Sequence, residues 1–240
     1  MSIISIVYLP EGIVIAADSR LSGRKEYQDK DGKNIIERFP LSDNSQKVVL
    51  LNKCKVGIVS CGTALIGGKT IADYIRLFEM NDIAKGDTPE IVAEKLLHHG
   101  AEFVGTNFYV CGYHQDIPYV YTVVSTGKVR LNVDQNGNVK YSFSWIGEQE
   151  ALNKLVNATP VMNTNVQLMP LKDGIDLAEF MVDLTIKYQR FSDGIKTCGG
   201  VIDILVMTKD NAFWHKNKLY KPWVSNKGKT TVLFSHLINN

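Results

Sequence analysis

The chain has 240 residues, 45% of them hydrophobic and 22% charged, with a formal net charge of +2. That apolar content supports a sizeable core and excludes a disordered tail, and the scattered, nearly balanced charge gives no pull toward nucleic acid or an anionic membrane. No apolar run approaches the ~20 residues of a membrane-spanning helix, and the N-terminus lacks the charged-then-apolar pattern of a signal peptide, so a cytoplasmic protein is expected.

Residues 2–9, rich in Ile and Val, predict a strand, Pro10-Glu11-Gly12 a turn, and residues 12–17 a second strand ending at Asp18-Ser19-Arg20. Residues 21–45 are polar and read as a loop or irregular hairpin, with Lys33 exposed in an Asp-Lys-Asp-Gly-Lys turn. Strands are expected at residues 47–51 and 56–60, with a turn at 52–55. Leu65, Ile71, Ile75 and Phe78 give residues 64–80 a helical period, weakened at its start by Gly67-Gly68. Asp87-Thr88-Pro89-Glu90 opens a helix running to about Phe103.

Strands return at residues 107–112, 119–125, 129–133 and 139–146, the last two joined by a hairpin turn at Asn136-Gly137. Helices follow at about 148–157 and 174–190, then strands at 201–208, 212–215 and 230–234. The basic segment 216–221 reads as a solvated hairpin end. Cys54, Cys61, Cys111 and Cys198 are widely spaced with no Cys-x-x-Cys pair, and are expected as free thiols in a reducing compartment.

Segregated runs of strands and helices argue for an α+β fold rather than alternating βαβ units. Two antiparallel sheets packed face to face, each covered by a helix pair, would bury every apolar face. The expectation is a four-layer αββα sandwich in one domain over residues 1–240.

Ser2-Ile3-Ile4-Ser5-Ile6-Val7, a turn, and then Gly12 through Ala16-Ala17-Asp18-Ser19-Arg20 resemble the start of mature proteasome β subunits and the related bacterial ring peptidase. These are N-terminal-nucleophile hydrolases, in which the first residue of the mature chain attacks the substrate. The spacing from Ser2 to Asp18 matches that family's nucleophile-to-aspartate spacing without a gap. Lys47-Val48-Val49-Leu50-Leu51, then Val56-Gly57-Ile58-Val59-Ser60-Cys61-Gly62-Thr63-Ala64, is similar to a further family stretch. Ile146-Gly147 before a helix, and Cys198-Gly199-Gly200-Val201-Ile202-Asp203-Ile204, look like two more.

The resemblance implies hydrolysis of peptide or related amide bonds on Ser2 once Met1 is removed. An N-terminal nucleophile carries its own base, because a free α-amine with an ordinary pKa near ~7.7–8.0 is partly neutral at physiological pH. By the same resemblance Lys47 stabilises the developing alkoxide and Asp18 neutralises and orients Lys47. Backbone N–H groups at Cys61 and Gly62 form the oxyanion hole. Glu148 stands where the family has a serine near the terminal amine. There it either holds the amine protonated or pairs elsewhere. Asp193 is the acid nearest the Gly-Gly segment, and Cys198 takes a serine's position. No metal or organic cofactor is implied. Relatives form rings with inward-facing sites, so a homo-oligomeric ring acting on peptide or protein, with an ATP-dependent unfoldase as a possible partner, is the expectation.

Two other readings follow from the same residues. A non-catalytic ring or scaffold subunit of this fold is one. A nucleotide-binding protein is the other, because Gly62 to Thr70 runs from a strand into a helix much like a phosphate-binding loop, with one residue too many before Gly68-Lys69-Thr70.

Overall fold

The computed structural model describes residues 2–157 and 164–219. Among these residues the strands include two five-stranded antiparallel sheets. One is built from β1 (Ile3–Tyr8), β2 (Ile13–Ala17), β12 (Ser142–Gly147), β13 (Asp203–Met207) and β14 (Ala212–Lys216), in the order β12-β1-β2-β13-β14. The other contains β5 (Val48–Leu51), β6 (Val56–Cys61), β9 (Asn107–His114), β10 (Ile117–Val124) and β11 (Gly127–Arg130), in the order β11-β10-β9-β6-β5. Two further strand pairs, given below, and the helices α1 (Ile71–Asp82), α2 (Pro89–His98), α3 (Glu150–Val156) and α4 (Leu171–Phe191) accompany them, with short 3-10 turns at Gly100–Phe103 and Val166–Leu168.

Alternation along the strands sorts their side chains into three apolar clusters. On β1, Ile3 and Val7 join a cluster with α3 and α4, including Leu152, Ala178, Met181 and Val182. The alternate residues Ile4, Ile6 and Tyr8 join a cluster with Val48, Val59, Tyr109, Cys111 and Val120 of the other sheet. That second sheet turns Val56, Ile58, Phe108, Val110, Tyr121 and Val123 toward Ile75 and Phe78 of α1 and Val92 and Leu96 of α2. The central strands are buried on both sides, which explains why 13–17 is apolar throughout and 3–9 is apolar except for Ser5, whose hydroxyl donates to Ala178 O at 2.7 Å.

Local signals fix the helix starts. Thr88 caps α2 by accepting the Ile91 N–H at 3.2 Å, with Pro89 following it in the first turn. Leu171 N–H at the start of α4 donates to Glu11 Oε2 at 2.7 Å, so the β1–β2 turn caps a helix 160 residues away in sequence.

Of the two readings for residues 21–45, the irregular hairpin is present: β3 (Leu21–Gln28) pairs with β4 (Asn34–Ser42) as a separate two-stranded sheet, with a register shift between Leu21 and Ser22. Other expectations are corrected. The helix expected from residue 64 starts at Ile71, because Gly67 and Gly68 take positive φ values of 55° and 77°. They turn β7 (Leu65–Ile66) back onto β8 (Lys69–Thr70). No phosphate-cradling loop forms at 62–70. The helix opened by Thr88 ends at His98 and tightens into a 3-10 turn.

The strand pair expected around Asn136-Gly137 reduces to one bridge between Val133 and Val139. β11 and β12 join different sheets, and the chain crosses between them here. Buried Asn132 anchors the crossing, accepting the Val120 N–H at 3.0 Å and donating to Pro118 O at 2.7 Å. Lys218, expected in a solvated segment, is buried in an ion pair with Asp203. The strand expected at 230–234 lies outside the described residues. All four cysteines are free.

Candidate active site

Ser2 precedes β1 and is held on two sides. Its carbonyl accepts the Glu148 N–H at 2.8 Å, just past the end of β12. The next residue, Ile3, donates its N–H to Asp18 Oδ1 at 3.1 Å and accepts from the Asp18 N–H at 3.2 Å. The start of β1 and the end of β2 are thereby locked at one point. Gly147, at φ 106°, makes this possible: a Cβ there would stand 1.8 Å from the Ser2 carbonyl oxygen.

Asp18 is 1% exposed. Its Oδ1 also accepts Lys47 Nζ at 2.6 Å, while Oδ2 accepts the N–H of Arg20 at 3.1 Å and of Gly199 at 3.0 Å. A buried carboxylate is tolerable only when paired and hydrogen-bonded, and here both oxygens are satisfied. The Arg20 contact is the turn bond that Asp18 would make in any Asp-x-x turn. The other three tie it to β1, to β5 and to the approach to β13.

Lys47 immediately precedes β5, and its side chain is 7% exposed. Its carbonyl accepts the Ser60 N–H at 3.2 Å, fixing the strand that carries it. Lys33 is exposed in the distal hairpin turn, so Lys47 and not Lys33 is the ammonium at this point. Ser2 and Lys47 line one small pocket of about 60 Å³ together with Gly62 and Thr63.

Gly62 takes φ 142°, and a Cβ there would lie 2.2 Å from Gly105 O, so only glycine fits between β6 and the segment before β9. The next residue is anchored by a hydroxyl pair, Thr63 Oγ1 to Thr106 Oγ1 at 2.6 Å. This fixes the backbone past Cys61 at the pocket rim. Cys61 Sγ lies 3.9 Å from Ser2 O. Burial pushes its thiol above the ordinary range, with Lys47 opposing in part, so it is a packed neutral group. The Cys198 thiol is also pushed up, by burial first and by Asp18 next.

Glu148 Oε1 accepts the Thr197 hydroxyl at 2.7 Å. Gln189 on α4 orients that hydroxyl, donating to Thr197 Oγ1 at 3.1 Å and accepting the Cys198 N–H at 2.8 Å. Asp193 is exposed beyond α4 and makes no polar side-chain contact among the described residues. Ser2, Asp18, Lys47, Cys61, Gly62 and the Glu148 backbone are therefore brought together, and Asp193 is not. Sequence reasoning missed Thr197 and Gln189. Thr197 adjoins the Cys198-Gly199-Gly200 segment, which was a usable signal, whereas Gln189 is one polar residue on an amphipathic helix with nothing to single it out.

Among the described residues no group of three or more His, Cys, Asp or Glu side chains is placed to hold a metal ion, and no helix is long and apolar enough to cross a membrane.

No protein-family model matches the chain, and no curated protein matches it. Solved structures do. A Gly-1 mutant of Anbu from Hyphomicrobium sp. strain MC1 matches with 15% identity and a TM-score of 0.58, over 90% of this chain and 85% of that one. A second Anbu structure from the same strain matches with 15% identity and a TM-score of 0.56, over 89% and 85%. At that identity the likeness carries the fold alone, and it supports a proteasome-like architecture for this chain.

Proposed function

We propose that this chain is an N-terminal-nucleophile hydrolase, a single αββα domain that cleaves peptide or related amide bonds through an acyl-enzyme on Ser2. The carrying observation is the buried Lys47–Asp18 pair, whose lysine lines the same pocket as Ser2. An ammonium removed from solvent and locked by a fully hydrogen-bonded carboxylate is costly to maintain for packing alone. It suits a site where negative charge develops on a nearby oxygen.

In this reading Met1 is removed and the Ser2 α-amine takes the proton from its own Oγ, directly or through one water. Oγ attacks the substrate carbonyl carbon, and the resulting oxyanion lies against main-chain N–H groups at Cys61 and Gly62. The Lys47 charge lowers the cost of the alkoxide, and Asp18 keeps Lys47 aimed. The ammonium formed at Ser2 returns its proton to the leaving amine, the carbonyl re-forms as an ester on Oγ, and water attacks that ester to free the acid. Assembly of copies into a ring is part of the proposal, and light scattering after size exclusion tests it.

The functional test is a panel of fluorogenic peptide amides with Ser2→Ala as control. Turnover that disappears in Ser2→Ala supports the hydrolase. A folded wild-type protein with no turnover above that control points instead to a non-catalytic subunit of the same fold.

A further inference from the structure

Thr185 and Gln189 are buried polar side chains one turn apart on the inner face of α4. Thr185 turns back on its own helix, donating to Met181 O at 3.0 Å. Gln189 reaches off the helix instead, to Thr197 and Cys198. The helix that carries it is tied to β1, where Ser5 Oγ donates to Ala178 O at 2.7 Å. Gln189 therefore projects from a support already fixed to the strand that follows Ser2.

Its neighbours determine which way the amide faces. The Cys198 N–H can only donate, so the amide oxygen meets it, at 2.8 Å. The amide nitrogen is then left to donate to Thr197 Oγ1, at 3.1 Å. Thr197 is buried and has one hydroxyl hydrogen, which goes to Glu148 Oε1 at 2.7 Å. Two hydrogen-bonded branches thus leave a single side chain. One runs through Thr197 to Glu148, whose N–H holds the Ser2 carbonyl at 2.8 Å. The other runs through Cys198 to Gly199, whose N–H holds Asp18 Oδ2 at 3.0 Å, and Asp18 in turn holds Lys47. A buried polar network rigidifies its members only while each of them is satisfied.

We infer that Gln189 is a positioning residue of this site: it seats Ser2 through Thr197 and Glu148, and Asp18 through the Cys198–Gly199 backbone, so that the nucleophile and the ammonium are set relative to each other from one point on α4. It touches none of the reacting atoms. Its effect on rate rests on the proposed hydrolysis at Ser2, whereas the seating itself does not. Gln189→Leu leaves the Thr197 hydroxyl and the Cys198 N–H each short of a buried partner. Gln189→Glu keeps the shape but loses the donor, so two carboxylates then face one hydroxyl. The other charged or titratable groups around this relay are Asp18, Lys47 and the Cys198 thiol, with Arg190 and Lys196 exposed beside it. A carboxylate facing another holds a proton more readily, and one proton between them restores the missing donor.

The test compares the full chain, freed of Met1, with Gln189→Leu and Gln189→Glu, each checked for folding by circular dichroism. On a fluorogenic peptide amide that the wild type turns over, Gln189→Leu should lose at least about tenfold in kcat with KM within about twofold. Gln189→Glu should show a similar loss at about pH 8, and its rate relative to wild type should climb as pH falls toward about 5. A residue that only fills space gives a ratio independent of pH. Hydrogen exchange reads the seating without turnover: the Glu148 and Gly199 amides should exchange about tenfold faster in Gln189→Leu, with Val110 on β9 unchanged. A Gln189→Leu kcat within about twofold of wild type, a Gln189→Glu ratio flat with pH, or unchanged exchange at both amides overturns the inference. Faster exchange at both amides in a protein whose wild type turns nothing over upholds the seating and counts against Ser2 as nucleophile.

Discussion

Asp18 holds the N-terminal strand, the Lys47 ammonium and the Gly199 backbone in one carboxylate, so its removal acts on stability as well as on chemistry. Asp18→Ala leaves Lys47 buried and unpaired, and the loss expected in urea unfolding is about 3–5 kcal/mol. Adding Lys47→Met removes the stranded charge, so the double variant should be less destabilised than the sum of the two singles. Additive losses would mean that the two groups do not depend on each other. Gly147 makes a sharper demand. A methyl there would overlap the Ser2 carbonyl oxygen, so Gly147→Ala should reduce the reactivity of Ser2 toward an electrophile by about a hundredfold, the order of effect of a 1 Å displacement of a reacting group. Unchanged labelling in a folded Gly147→Ala protein would show that the terminus is not seated as described. Ser2, Asp18 and Lys47 were singled out by the resemblance of their segments to proteasome β subunits, and the Asp18–Lys47 pair is present in the structure. The Thr197–Gln189 support was not singled out, because it joins α4 to the segment before β13 through single polar side chains with no periodic signature.

The end of α2 carries the clearest titration. His99 hydrogen-bonds Glu102 at 3.0 Å and lies 3.6 Å from Asp82. The Glu102 hydrogen bond, the largest cause, raises its pKa above the ordinary 6.5, with burial opposing. A raised folded value contributes stability that is complete below 6.5 and is lost as pH rises through the folded value. Glu102 is lowered from 4.5, chiefly by the same bond, so its contribution is complete above 4.5 and is lost as pH falls through the folded value. The difference in thermal midpoint between wild type and His99→Gln should therefore be largest between 4.5 and 6.5 and decline on both sides. A difference that is flat with pH would refute the pairing. Partial exposure of both groups keeps the effect small. Among the elements, α2 was legible because Thr88-Pro89 is a helix start in its own right. Residues 64–70 were misjudged because Leu65 fits the helical period of α1 while two glycines carry the chain through a turn. Asn136-Gly137 did turn the chain, but which sheet each flank joins is decided by long-range packing that local sequence does not encode.

Over the whole molecule, the three clusters and the two large sheets followed from apolar segments ordered along the chain, and the likeness to Anbu structures agrees with that architecture. The β3–β4 hairpin stands apart as a separate two-stranded sheet, exposed along most of its length. The polar sequence left loop and irregular hairpin both open there, since neither face is committed to a core. Two strands alone are marginally stable in water, so this arm should open locally at little cost. Among the described residues, limited trypsin digestion should cut first at Lys30 or Lys33 while the sheets stay protected, as read by mass spectrometry. A first cut within α4 or β13 would contradict this order of stability. The central claim is chemical, and intact-mass analysis after exposure to a peptide β-lactone tests it most directly. The account predicts a chain lacking Met1 that gains one adduct, mapped to Ser2 and absent from both Ser2→Ala and Lys47→Met. A chain that retains Met1, or that carries its adduct on Cys61 or any other residue, would contradict it.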